Sequence, residues 1–257
     1  TQIAGNLTKW QSIAAKAPEV ATSTKYFQEN IGKVKSVDDL MKDTRLFDYA
    51  MTAFGLGDIT YAKGMMKKVL EKGVGADALT LTLTNSNIKA FATAFDFAAN
   101  GEETTAASTL VENVTSRYAE QALEDDQGEQ NPGVQLALYF QRKAPDLTSI
   151  YGILADSKIL SVVQTALGIS PLTSAQSIDS QAAMLKSKVD LDDFKDPKKL
   201  AQFIARFAAN YDYENGGDAN SQTSLLSTLF ADSSSGSTFG VDSDLLLSVQ
   251  GIRFSSL

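Results

Sequence analysis

The sequence predicts an all-α fold: two pseudo-repeated helical units packed together and joined by a longer helix. Three observations predict it. Residues 26–56 are written a second time at residues 139–169, without a gap and at a constant offset of 113. Apolar residues in both copies recur at helical spacing and are bracketed by residues that start and stop helices. The one strand-like stretch, an alternation of Thr with Leu over residues 79–83, has no second strand to pair with, and a lone strand is not stable.

Across the 31 aligned positions eight are identical, among them Tyr26/Tyr139, Ser36/Ser149, Asp43/Asp156 and Gly55/Gly168. Elsewhere like replaces like: Val34, Leu40, Leu46 and Phe54 face Leu147, Ile153, Ile159 and Leu167. Exchanges that keep apolar positions apolar are the mark of a copied packing unit. The implied organisation is an amphipathic helix at 1–23, a first unit at 24–103, a connecting helix and acidic turn at 104–136, a second unit at 137–213, and a Gly/Ser/Asp-rich tail at 214–257 that ends in an apolar patch.

Ile3, Leu7, Trp10, Ile13 and Ala14 give the opening helix, which stops near Pro18, and a second helix runs over 18–30 until Gly32 interrupts it. Ser36 can accept a hydrogen bond from an amide one turn on, and Asp38 and Asp39 suit the positive end of the helix dipole. Asp43 caps the next helix, which carries Leu46, Phe47, Ala50 and Phe54 on one face and ends at Gly55. Ser149, Asp156 and Gly168 repeat these signals in the second copy. A helix is expected over 58–70, with its counterpart at 177–188 displaced by about six extra residues. The last helix of each copy falls at 87–99 and 197–211, the latter opened by Asp196 and Pro197. Between the copies, 104–124 reads as one long helix with Leu110, Val114, Tyr118 and Leu123 on a common side, and 124–133 reads as an exposed acidic turn.

Composition excludes more than any motif. The chain has 257 residues, no Cys and no His, so thiol nucleophiles, disulfides, imidazole bases and Cys or His metal sites are out of reach. A net charge of −8 argues against nucleic acid as a partner, because such interfaces set Lys and Arg against phosphate. Lys63, Lys67, Lys68 and Lys72 form a solvated helix face. No run reaches the ~20 apolar residues of a membrane span, and no cleavable signal is visible at the start.

The candidates for chemistry are few. Asp212, Glu214, Asp218 and Asn220 place oxygens around Gly216 and Gly217 as a calcium loop does, yet Thr223 stands where the bidentate Glu is needed. Glu124, Asp125, Asp126 and Glu129 could offer an acid and base pair, and the simpler reading is an exposed turn. No phosphate-binding glycine loop is present. Tyr26/Tyr139 and Gln28/Gln141 recur at one corner of each copy, where the Tyr hydroxyl and Gln amide are expected to satisfy buried backbone. The sequence therefore assigns no catalytic, cofactor-binding or metal-binding residues, and no cofactor. The candidate partner-binding residues are Leu7 and Trp10 at one end and Leu245, Leu246, Leu247, Ile252 and Phe254 at the other.

The segments KVKSVDDLMKDTRLF, YAKGMMKKVLEKG, ALYFQRKAP and DPKKLAQFIARF, within residues 25–213, resemble the bacterial family described as domain of unknown function 1217. The resemblance implies a helical protein whose gene lies among flagellar genes, and it carries no catalytic residues over. The expected function is a non-enzymatic, flagellum- or motility-associated structural or interaction protein, with an axial or basal-body component as its protein partner. The alternatives are a carboxylate-dependent hydrolase of cell-wall glycans and a cytoplasmic regulator or chaperone of exported flagellar subunits.

Overall fold

The structure, a computed structural model, describes residues 7–75 and 85–215 together with Leu225 and Leu229. Thirteen α-helices and a series of short 3-10 turns make up the described residues, with no strand among them. The chain divides into two compact units, Thr8–Leu123 and a second formed by Glu124–Leu257 with Thr1–Leu7.

In the first unit, α1 (Leu7–Ala15) buries no residue, and Pro18 sits at the first turn of α2 (Pro18–Asn30), where its missing N–H leaves nothing unpaired. α3 (Val37–Lys42) is capped by Ser36, which accepts from the Asp39 amide, and α4 (Thr44–Ala53) is capped by Asp43, which accepts from the Leu46 amide. α4 ends in a Schellman turn: the Gly55 amide donates to the Thr52 carbonyl and the Leu56 amide to that of Met51, with Gly55 at φ +69°. α5 (Lys63–Lys72) packs on α3, and α7 (Phe97–Asn100) packs on α5. The core holds Phe27, Leu40, Phe47, Met66, Phe91 and Val114, all fully buried. Phe27, Tyr49 and Tyr118 stack in a row, with ring centroids 4.6 and 3.9 Å apart. Burial pushes the Tyr49 phenol well above its usual range.

Two expected helices are broken. The one predicted over 58–70 is a 3-10 turn at Gly57–Ile59 followed by α5, and the one over 87–99 is α6 (Ser86–Ala94) followed by α7. At the second break Asp96 takes a non-helical ψ of 73° and accepts from the Ala99 amide, so a capping aspartate restarts the chain in a new direction. The strand-like stretch at 79–83 lies outside the described residues.

The largest departure concerns the connecting segment. α8 starts at Ser108, after a 3-10 turn that holds Thr104 and Thr105, and it runs to Gln130 through the acidic run that sequence reasoning assigned to an exposed turn. Glu, Asp and Gln are compatible with helix, and Asn131-Pro132 supplies the stop and the next start: Asn131 accepts from the Gly133 amide to cap α9 (Pro132–Lys143).

In the second unit α9, α11 (Ser157–Leu167) and α13 (Pro197–Glu214) pack on one another, and α10 (Ile150–Ala155) packs on α11 and α12 (Ile178–Lys186). Phe140, Phe194 and Phe203 form an aromatic cluster with centroids 5.0 to 5.4 Å apart. Ser149, Asp156 and Asp196 cap the helices they precede, as their positions predict, and Ser177, read as the first residue of its helix, caps α12. α11 ends in a second Schellman turn at Gly168, φ +62°. From the segment read as tail, Leu225 and Leu229 are helical and buried, and the Leu225 amide donates to Asp212 Oδ1 at 2.8 Å.

Candidate functional site

Glu124 is the most displaced from expectation. It is 3% exposed, and Arg142 of α9 grips it with both edges of a fork, Nε to Oε1 at 2.8 Å and Nη2 to Oε2 at 2.9 Å. Burial pushes the Glu124 carboxyl above its usual range, against the pull of Arg142 and of Lys158. The three other acids of the run stay exposed, with Asp125 accepting from Gln135 Nε2 at 2.8 Å. The four carboxylates therefore do not converge as an acid and base pair.

Asp212, the first oxygen of the supposed calcium loop, is buried and spent on the Leu225 amide; Glu214 is exposed, and Asp218 and Asn220 lie outside the described residues. Among the described residues no three acidic side chains gather as a metal site requires. Lys67 pairs with Asp38 at 2.6 Å and with Glu71 at 3.6 Å, Lys63 donates to Thr44, and Lys68 and Lys72 are exposed. Of the candidate partner-binding residues, Leu7 and Trp10 are half-buried on α1, while Leu245, Leu246, Leu247, Ile252 and Phe254 lie outside the described residues.

The recurrent tyrosines behave differently from expectation. Tyr26 donates to Asp43 Oδ2 at 2.8 Å and Tyr139 to Asp156 Oδ2 at 2.6 Å, so each hydroxyl serves the aspartate that caps the following helix and not buried backbone. A cation covers each ring: Arg45 at 3.7 Å from the Tyr26 centroid and Lys158 at 5.3 Å from that of Tyr139. Gln28 is exposed and Gln141 half-buried, and the amide role assigned to them is not what the fold uses. Sequence reasoning had both tyrosines and both aspartates at the right offset, but not the cations. It could not see that the cap carboxylate has a second oxygen to share.

Sequence reasoning missed a groove in the first unit. It has a volume of about 690 Å³ and runs between α6 and α8. Phe54, Ala90, Ala94 and Leu110 supply its apolar surface. Arg117 lies over the Phe54 ring with Cζ 4.9 Å from the centroid, and its Nε donates to Asn113 Oδ1 at 2.9 Å. Asn100 and Glu103, which precede α8 in the chain, also line the groove. The Ala and Thr spacing on α6 was the available signal, but one helix face cannot disclose which second face it opposes. A second depression, of about 500 Å³, lies beside Tyr26, Asp39, Asp43 and Arg45. The Asp43 carboxylate there accepts from the Leu46 amide and the Asp39 carboxylate from the Lys35 amide, and the Ser36 hydroxyl holds the Asp39 carboxyl below its usual range.

No described helix is long and apolar enough to cross a membrane. Comparison with curated proteins finds no match. Among solved structures, the X-ray crystal structure of a structural-genomics protein from Agrobacterium tumefaciens is similar to this one at 37% sequence identity and a TM-score of 0.77, over 83% of this chain and 91% of that one. The model of the family described as protein of unknown function, DUF1217, matches residues 53–200. The match spans more than half of the sequence, and the chain belongs to the DUF1217 family.

Proposed function

We propose that this chain is a non-enzymatic, motility-associated structural or interaction protein, built from a duplicated helical unit and engaging a flagellar axial or basal-body component. The observation that carries the reading is how the groups capable of chemistry are employed. Tyr26 with Asp43 and Tyr139 with Asp156 hold corresponding corners of the two units at the shared offset of 113, and a cation lies on each ring. Glu124 is paired with Arg142, and Asp212 with the Leu225 amide. Titratable groups committed to caps and ion pairs support a scaffold, since a catalytic acid or base has to be presented to a substrate. The matched Schellman turns at Gly55 and Gly168 and the matched caps at Ser36 and Ser149 support descent of the two units from one ancestor.

The flagellar setting rests on the family resemblance. Deletion of the gene followed by a swimming assay tests it: loss of motility restored by the intact gene is expected, and normal swimming with normal filaments overturns it. Fractionation separates an axial component, found with the filament or basal body, from a regulator that stays inside the cell. Turnover of cell-wall glycan by the purified chain would overturn the non-enzymatic part.

A further inference from the structure

We propose that the groove between α6 and α8 is a binding site for an elongated small molecule with a carboxylate at one end, an aliphatic middle, and an amine or similar hydrogen-bond donor at the other. The groove's volume of about 690 Å³ falls within the ~300–1,000 Å³ of small-molecule sites. Its chemistry is graded along its length. Arg117 marks one end, half-buried, and its orientation is locked twice, by the Phe54 ring beneath it and by Asn113 on Nε. Those contacts leave its Nη edge with no hydrogen bond or ion pair among the described residues. A planar guanidinium presented this way is preorganised to take a carboxylate on two parallel N–H donors.

The middle is apolar, with Ala90, Ala94 and Leu110 facing the space. At the other end stand Glu103 and Asn100, both exposed and with side chains that no described residue engages. Thr109 and Arg117, both lining the groove, are eight residues apart on α8, about 12 Å at 1.5 Å per residue, so the groove follows about two turns of that helix. A diacid is disfavoured because its second charge would meet Glu103, and a simple amine is disfavoured because Arg117 would repel it.

The test is calorimetric titration of the full chain with ω-aminooctanoate, with octanoate and octylamine alongside, on the native protein and on Arg117→Gln and Glu103→Gln. Saturable 1:1 binding of ω-aminooctanoate is expected, with octanoate weaker and octylamine weaker still. Arg117→Gln should weaken both acids by about tenfold or more, the loss of a charge-assisted pair. Glu103→Gln, a change at an exposed side chain that leaves folding alone, should weaken ω-aminooctanoate severalfold and leave octanoate unchanged. Absence of saturable binding by any probe overturns the proposal, as does binding that Arg117→Gln leaves intact. Equal loss of ω-aminooctanoate and octanoate in Glu103→Gln overturns the assigned polarity. None of these outcomes depends on the motility result.

Discussion

Replacing Arg142 by Met should be among the most damaging single changes in the second unit, and the damage should depend on pH. Glu124 is 3% exposed and receives two charge-assisted hydrogen bonds from Arg142, at 2.8 and 2.9 Å. Methionine keeps much of the side-chain volume and strands a buried carboxylate, for which the cost is about 3–5 kcal/mol. Taking ~4 kcal/mol and a urea dependence of ~2 kcal/mol per molar, the unfolding midpoint falls by about 2 M. The measurement is urea unfolding followed by far-UV circular dichroism. Burial already holds the Glu124 carboxyl above its usual range, and removing Arg142 removes the paired cation that pulls it down, so its folded pKa rises further above its unfolded one. A carboxyl with a raised folded pKa binds its proton more tightly in the native state, so stability falls as pH rises through the window between the two values. The gap between Arg142→Met and the native protein should therefore be widest at neutral pH and should close on acidification. The double variant Glu124→Leu with Arg142→Met removes both charges and should return to within about 1 kcal/mol of the native protein. A deficit that does not change between about pH 5 and 8, or a double variant no better than the single one, would refute the account.

Further expectations concern backbone and caps. Gly133→Ala places a Cβ 2.6 Å from Tyr211 Cε1 and 2.8 Å from Leu225 Cδ2, and should cost about 1–3 kcal/mol by urea unfolding. Gly64→Ala, with open space around it inside α5, should stabilise by about 0.5–1 kcal/mol in the same assay. Both Gly55 and Gly168 have positive φ, so Gly168→Ala should cost about 1–2 kcal/mol. Gly55→Ala should cost more, because its Cβ also meets Asn87 Nδ2 at 3.2 Å; a reversed order in thermal melts would contradict this. Tyr139→Phe removes a hydrogen bond to a capping aspartate from a side chain that is 3% exposed and should cost about 1–2 kcal/mol, and Tyr26→Phe, which removes the matching bond at a more exposed ring, should cost less.

Much of the local structure was legible because its causes are local. Ser36, Asp43, Ser149, Asp156 and Asp196 bond to amides two or three residues on, so their positions in the chain suffice to place the helix starts. Gly55 and Gly168 end their helices because a left-handed residue is needed there. The breaks at 60–62 and at Phe95 and Asp96 were harder, since apolar spacing ran on through both. At the second, packing rewarded a change of direction that Asp96 could cap. The acidic run was misread for a longer-range reason: Glu124 becomes a core residue only when Arg142, eighteen positions later, reaches it.

The sequence by itself determined the helical class, most helix ends, the apolar face of each helix, and the exclusion of Cys and His chemistry. Those follow from backbone sterics, from nearby hydrogen bonds and from which elements are present at all. Only the tertiary structure decided that Glu124 is buried, that the tyrosines serve the capping aspartates, and that α6 and α8 leave a groove beneath Arg117. Each of these depends on how two surfaces distant in the chain meet. A buried charge or an open groove belongs to the pair of surfaces, and neither surface alone specifies it.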